Sequence, residues 1–596
     1  MILNNKMRPE KLKRLSKKQL RQLCNEIRNF LIGTVSKTGG HLASNLGMVE
    51  LTVALHRVFE SPRDKFVFDV GHQSYTHKIL TGRFERFSEL RSEGGISGFP
   101  RPGESEHDAF IGGHSGISVS AALGIAEALR LSEPQSQPPK VIAVAGDGAF
   151  TDGGIYEGMN NAGKSSANLL VILNDNGMSI SKNTGAFAAY LSQLRSSLRY
   201  HKAKVSVKSF LGKNKVGEAV SGAVSATKKL VKNAVYYQNL QGNFFENLGF
   251  KYYGIVDGHN INELIEVLEV AKLINEPCLI HVKTMKGKGF RPAEKNSGEF
   301  HGITPTLANN LPLKPNHSES YSDVFGKEIA ALGESDERIV LISAAMKYAT
   351  GCNYFNDKFP ERFYDCGIAE AHAVTFASGL ASRKMLPVFA VYSTFSQRGF
   401  DRFLHDCAIE NLHVVFAIDR AGVVGEDGET HQGVFDVAMF SLIPNFTVFS
   451  PANSSELKEC LRRALYEVDG PVAVRYPRGQ ANNSDLNVCD KFQLTKTGSK
   501  RLTVTYGRIA EKLSGLNTDF LRLVQIKPLP PEAISSAMNY SDIIFYEEGS
   551  ERGGIGEALL LELVRRGWKG EYDVKAVTEF VPCADVETQL RKITAL

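Results

Sequence analysis

The eight cysteines of this 596-residue chain stand at positions 24, 278, 352, 366, 407, 460, 489 and 583, and no two are spaced C-x-x-C. That scatter argues against a zinc site and against a disulfide framework, and it suits a reducing compartment. No apolar run approaches the roughly 18 residues that span a bilayer, and the opening Met-Ile-Leu-Asn-Asn-Lys has no signal-peptide core. A soluble, cytoplasmic protein with no membrane partner is expected. The 54 glycines show no Gly-X-Y period, and a composition of 42% hydrophobic and 23% charged residues is that of a globular chain. Collagen-like and disordered classes are excluded. At about 150 residues per domain, the length predicts three or four domains.

Net charge is also small, +5, but it is unevenly spread. Residues 1–21 hold eight basic side chains and one acid, and residues 185–242 hold ten and one, so these tracts carry +7 and +9 and leave −11 elsewhere. Leu12, Leu15, Leu20, Leu23, Ile27 and Leu31 recur at mostly three- and four-residue steps. The first tract therefore reads as the solvated face of an amphipathic helix rather than a nucleic-acid site.

From Phe66 to about Lys283, β-branched runs such as Val141–Ala145 and Leu169–Leu173 alternate with helical stretches. That is the pattern of a parallel α/β sheet. The second basic tract interrupts it as a long insertion, a form typical of mobile lids or disordered surface. A linker is predicted over Ile303–Ser320, and a second α/β block follows with strands Ile339–Ile342, Leu386–Ala390 and His413–Ile418. After a break near Gly479–Lys500, Leu502–Thr505, Phe520–Val524 and Asp542–Phe545 predict a small third block. The expected fold class is α/β, in three domains each built on a mainly parallel sheet flanked by helices: residues 1–310, 311–485 and 486–596.

The strongest chemical signal is Ala145-Gly-Asp-Gly-Ala149 with Asn174-Asp-Asn176, which begins 27 residues after Asp147. Each follows an apolar strand, and ligands of open parallel sheets bind beyond the carboxyl ends of strands. Asp147 and Asn176 would offer two hard oxygen ligands suited to magnesium, whose shell is commonly completed by phosphate oxygens and water. Gly146 and Gly148 would admit a diphosphate to the backbone. Gly-Asp-Gly alone fits a plain turn. Neither a G-x-x-x-x-G-K-[ST] loop nor a third glycine at dinucleotide spacing is present, so a P-loop and a classical dinucleotide site are not supported.

Gly-Asp-Gly followed by Asn at this distance is the signature of thiamine diphosphate enzymes. Gly39-Gly-His-Leu-Ala-Ser-Asn-Leu-Gly47, Asp69-Val-Gly-His-Gln73, Gly113-His-Ser115, Asn174–Ser181, Lys286-Gly-Lys-Gly-Phe290, Asp365-Cys-Gly-Ile-Ala-Glu370 and Tyr476-Pro-Arg478 narrow the match. In that order, and over nearly the whole chain, they resemble the 1-deoxy-D-xylulose-5-phosphate synthase family. The resemblance implies a diphosphate-binding domain (1–310), an aminopyrimidine-binding domain (311–485) and a transketolase C-terminal-like domain (486–596). It implies thiamine diphosphate and Mg2+ as cofactors, with Asp147, Asn176 and the Met178 carbonyl on the metal. His72, Gly113, His114, Ser115, Gly148, Ala149, Asn176 and Phe290 would line the cofactor, and Glu370 would bond its aminopyrimidine ring.

By the same resemblance, His41, His301 and His431 would position pyruvate and relay protons. Tyr392, Arg398, Arg420, Asp427 and Arg478 would bind glyceraldehyde 3-phosphate, since guanidinium groups bond phosphate oxygens in pairs. The implied reaction is a decarboxylating condensation of these substrates to 1-deoxy-D-xylulose 5-phosphate, a precursor of isoprenoids, thiamine and pyridoxal, in a homodimer without nucleic acid.

Gly177, Gly116-Ile117 and Phe290 depart from the usual family pattern, and the third block, with Glu547–Gly554, is the most divergent. None of these removes an acid, base or metal ligand. A transketolase-like enzyme with other sugar phosphates and a catalytically silent paralogue remain as alternatives. Intact Asp147, Asn176, Glu370, His41 and His431 speak against silence, because an unused site has no reason to keep costly buried polar groups. The +9 tract follows the Asn174–Ser181 segment and is expected to draw in anionic substrate or cofactor. Neutralising several of its lysines should slow substrate capture at low salt; unchanged rates would reduce it to solvated surface.

Overall fold

The computed structural model describes residues 1–132, 138–178, 185–196, 243–303, 319–482 and 486–594. Of the basic insertion only the helix Gly185–Ser196 is among them; its remainder and most of the expected linker lie outside the described residues. The chain forms two compact units, residues 1–313 and 314–596.

In the first unit the expected N-terminal amphipathic helix is two helices, Pro9–Leu12 and Lys17–Thr38. Ser16 starts the second with a capping box, its side chain accepting from the Gln19 amide while Gln19 reaches back to the Ser16 amide. Leu20, Leu23, Ile27, Leu31 and Val35 are buried, and Lys17, Lys18 and Arg21 face solvent.

Five strands follow: β1 (Lys65–Phe68), β2 (Val141–Gly146), β3 (Leu169–Asp175), β4 (Lys251–Asp257) and β5 (Cys278–Lys283). Their order is β1-β2-β3-β5-β4 and every pairing is parallel. Such a sheet needs cover on both faces, and its strands read as continuous apolar runs. Ile142, Val144, Leu170 and Ile172 pack into one core with Leu51, Leu55, Leu264 and Leu268. The alternate residues Val141, Ala143, Leu169 and Val171 pack into another with Val119, Ala122, Ile155 and Met159.

The second unit holds two sheets. The first contains β6 (Ile339–Ser343), β7 (Phe363–Asp365), β8 (Leu386–Tyr392), β9 (Val415–Asp419), β10 (Thr447–Phe449) and β11 (Val472–Tyr476). The last comprises β12 (Phe492–Thr495), β13 (Arg501–Tyr506), β14 (Asp519–Leu523), β16 (Asp542–Ser550) and β17 (Glu571–Val577), in the order β12-β14-β13-β16-β17. Between β14 and β16 in the chain, β15 (Gln525–Lys527) leaves this segment and joins β10 antiparallel, giving β15-β10-β11-β9-β8-β6-β7. Apart from that pair and β12 with β14, all pairings are parallel. No helix among the described residues is long and apolar enough to cross a membrane.

A buried charged cluster braces the turn after β1. Asp108 accepts from both terminal nitrogens of Arg83 at 2.7 and 2.8 Å, from His77 Nε2 at 2.9 Å and from the Arg101 amide at 2.8 Å. Burial alone would raise its carboxyl, but the Arg83 and His77 bonds win and hold it well below the ordinary range. A depressed carboxylate stabilises the fold above its unfolded value, near pH 4, and that contribution fades as pH falls further. Asp108→Asn leaves Arg83 with Glu104, 2.8 Å away, as its remaining carboxylate, and should cost about 1–3 kcal/mol at neutral pH in urea unfolding; a wild-type midpoint would show the Asp108 charge to be dispensable.

Candidate functional site

Because β2 pairs with β3 in the register Gly146 opposite Asn174, the turns beyond the two strands lie side by side. Asp147 opens one of them and is buried. Its Oδ2 accepts from the Gly177 amide at 2.8 Å, while Asn176 Oδ1 accepts from the Met178 amide at 3.0 Å. Gly177 has φ +74°, which turns the chain after Asn176 back toward Asp147. Burial first, then the neighbouring Asp175 carboxylate, push the Asp147 carboxyl well above the ordinary range. Asp175 moves the other way: its own burial is outweighed by His281, 2.8 Å away, and by Arg195.

A buried carboxylate beside a second acid is a place where a dication supplies the missing charge. The donors present fit magnesium: one carboxylate, one amide oxygen and the nearby Met178 carbonyl, all hard oxygens. Among the described residues no cluster of three His, Cys, Asp or Glu side chains forms a metal site, so a thiolate or polyhistidine centre is not offered.

The turn after β1 contributes Asp69, buried, whose two oxygens accept from the Gly116 and Ser118 amides, each at 2.9 Å. This pins the Gly113-His114-Ser115 segment next to β1. Ser115 Oγ in turn donates to Asp152 Oδ2 at 2.6 Å, and Asp152 caps the helix Gly153–Ala162. Gly116 has φ +78°, and a Cβ there would lie 2.4 Å from the Asp152 carboxylate. The departure at this position is thus required by the local backbone. Gly148 and Ala149 sit in the buried turn that starts at Asp147.

Three of the predicted histidines form one cluster. Ring centroids of His41, His72 and His301 lie 5.1 to 5.4 Å apart. Asn45 Nδ2 donates to the carbonyls of His41 at 2.6 Å and His72 at 2.7 Å, and a Gly40–Ile303 backbone bridge brings the His301 segment alongside. Ser44 Oγ shares hydrogen bonds with His72 Nε2 at 3.1 Å and His301 Nδ1 at 3.5 Å. Lys286 Nζ donates to His301 Nδ1 at 3.1 Å. Burial, then Lys286, His72 and His41, hold His301 well below its ordinary range. The ring is therefore neutral near pH 7, and with Nδ1 accepting from Lys286 its proton sits on Nε2. Burial likewise lowers Lys286, to about 8. Phe290 closes the same loop, its ring edge-on to Phe300 at 5.5 Å.

In the second unit the same rule operates at the ends of β7, β8, β9 and β11. Glu370 is buried at the first turn of the helix Glu370–Ala381, with Arg398 Nε 3.6 Å from its Oε2. Tyr392 ends β8, and the Arg420 guanidinium lies 3.8 Å over its ring while bonding Asp419 at 3.2 Å. Burial raises the Tyr392 phenol to about 12, so it stays protonated. Arg478 meets Asp427 at 3.3 Å and Glu426 at 3.2 Å. His431 bonds Thr430 Oγ1 at 2.9 Å and stands 5.6 Å from the Phe395 ring, which stacks on Tyr392.

Within the first unit, Asp147 with Asn176 and His41 with His72 and His301 are brought together. Within the second, Tyr392 with Arg420 and Asp427 with Arg478 are brought together, while Arg398 pairs with Glu370 rather than with the other arginines. Lys286 and Ser44 carry no site role in the sequence reading. Both lie inside its motifs, and the signal for Lys286 was its position just past an apolar strand, where Asp147 and Asn176 also fall.

Residues 3–284 match the family described as 1-deoxy-D-xylulose-5-phosphate synthase, and residues 318–483 match the transketolase pyrimidine binding domain. The 1-deoxy-D-xylulose-5-phosphate synthase of Natranaerobius thermophilus is 46% identical over 576 residues, 94% of this chain and 90% of that protein. The enzyme of the same name from Caldanaerobacter subterraneus subsp. tengcongensis is 45% identical over 602 aligned positions, 98% of this chain and 95% of that protein. With the buried strand-end cradle intact and identity sustained over nearly full length, this chain belongs to the 1-deoxy-D-xylulose-5-phosphate synthase family.

Proposed function

We propose that the chain is a 1-deoxy-D-xylulose-5-phosphate synthase, condensing pyruvate with D-glyceraldehyde 3-phosphate and releasing carbon dioxide. The observation that carries this reading is the pair of adjoining strand ends, with a buried carboxylate at Asp147 and an amide at Asn176, beside a histidine cluster in which burial and Lys286 hold His301 neutral. Asp147, Asn176 and the Met178 carbonyl would hold Mg2+. His72, Gly113, His114, Ser115, Gly148, Ala149, Asn176 and Phe290 would hold thiamine diphosphate. When bound, that cofactor supplies the electron sink for loss of carbon dioxide.

The chain's own side chains then have separable tasks. His301, neutral and protonated on Nε2, is a hydrogen-bond donor for a carboxylate or carbonyl oxygen, and His41 beside it shares in orienting pyruvate. Glu370, buried at the start of its helix, would bond the aminopyrimidine ring of the cofactor. Arg420 and Arg478, already partnered by Asp419, Glu426 and Asp427, would turn their remaining N–H groups to the phosphate, and Tyr392 would donate its phenolic hydrogen. His431 is assigned to proton relay during carbon–carbon bond formation. Eight cysteines scattered without a C-x-x-C pair suit a reducing cytoplasm, and we assign the chain to that compartment as a homodimer.

The full chain with thiamine diphosphate, Mg2+, pyruvate and glyceraldehyde 3-phosphate should release carbon dioxide and form the deoxysugar phosphate. Turnover only with ketose donors would favour a transketolase-like enzyme, and no decarboxylation at all would refute the reading. Glu370→Ala should lower kcat by ~10²–10⁴-fold with an unchanged unfolding midpoint; wild-type turnover would remove Glu370 from the chemistry.

A further inference from the structure

The loop that delivers Lys286 begins at the end of β5, and its first free amide, that of Met285, is not held by another backbone group. It donates to His259 Nε2 at 2.8 Å. His259 lies just past the neighbouring strand β4, where Gly258 donates to the Lys283 carbonyl at 2.8 Å and the His259 amide bonds Asp257 Oδ1 at 3.0 Å. The other ring nitrogen, Nδ1, sits 3.1 Å from Glu50 Oε2. Glu50 in turn takes Arg28 Nη2 on both oxygens at 2.7 and 2.8 Å. Burial by itself would raise Glu50, but the bonds from His259 and Arg28 outweigh it and keep the carboxyl below its ordinary range.

These contacts leave His259 one arrangement. An amide N–H can only donate, so Nε2 must carry the lone pair; a carboxylate can only accept, so Nδ1 must carry the proton. The ring is a fixed adaptor between the Arg28–Glu50 pair on the helices Lys17–Thr38 and Val49–Val58 and the loop that bears Lys286. The same loop is pinned on its other side by Gly287, whose amide donates to the Ala43 carbonyl at 2.8 Å, and Gly289 lies against Arg28, where an added Cβ would meet Arg28 Cδ at 2.3 Å.

We propose that His259 is a positioning residue: through the Met285 amide it sets the loop that holds Lys286 on His301. Its link to the Lys286 loop runs through the Met285 backbone amide. This rests on the synthase reading for its kinetic consequence but not for its structural one. The residue types that replace the ring separate its two bonds. Glutamine places an oxygen near the Nε2 position and keeps an acceptor for Met285. Asparagine reaches only the Nδ1 position and keeps a donor for Glu50. In both, Arg28 still compensates Glu50, so the fold retains its ion pair.

The test compares full-length wild type, His259→Gln and His259→Asn by amide hydrogen exchange of the peptide spanning 283–291 and by steady-state kinetics with pyruvate and glyceraldehyde 3-phosphate. Asparagine should speed exchange at Met285 at least ~10-fold and lower kcat by ~10–100-fold with KM little changed, the size typical of losing a supporting hydrogen bond behind a site. Glutamine should stay within about threefold of wild type in both readouts. Equal behaviour of the two variants, or a larger loss with glutamine, would overturn the proposal. If wild type proves inactive, the synthase reading fails and the exchange ordering alone still decides the role of His259.

Discussion

Parallel strand pairing is the constraint on which the first unit depends. In the run β1, β2, β3, β5, four adjacent strands point their carboxyl ends the same way, and each delivers a polar group there: Asp69, Asp147, Asn176 and then Lys286. No loop has to travel to assemble them. The backbone ladder sets their spacing, and the apolar cores on both faces hold the ladder. A slip of one residue in β2 against β3 would turn Ile142 and Val144 to the opposite face and move Asp147 away from the Gly177 amide.

What the strands gather is electrostatically unfavourable without ligands. Asp147 is buried beside Asp175, Lys286 is buried beside the neutral His301, and Asp69 is buried with backbone amides on both oxygens. Groups of this kind lower stability unless their charge is met. The compensation in the fold is selective. Asp175 is given His281 and Arg195, and Asp108 is given Arg83 and His77, whereas Asp147 is given amides and a like charge. Carboxyls that the fold holds low belong to the scaffold, whereas the one at Asp147 is pushed up at the strand ends where the site residues gather.

Much of this is legible in the sequence because the signals are local. Val141–Ala145 and Leu169–Leu173 are apolar runs ended by polar residues, and they became the two central strands with Asp147 and Asn176 just beyond them. The histidines were legible through their motifs. Other features depend on partners distant in the chain. His259 has meaning only beside Glu50 and Met285, and nothing in Asp257-Gly-His-Asn260 announces either. The three-residue strand β15 is too short to show a period, so its return to β10 could not be read. The break at Ser16 was a local signal, Ser followed by Gln19, overridden by the leucine spacing across it.

The central proposal is that Asp147, at the adjoining strand ends, would hold a magnesium ion that helps bind a diphosphate. Calorimetric titration of the full chain with thiamine diphosphate tests it directly, with Mg2+ present and after chelation, for wild type and Asp147→Ala. The account predicts tight binding only for wild type with the metal, and at least a ~10-fold weakening on losing either the metal or the carboxylate. Equal affinity in the four titrations would contradict it.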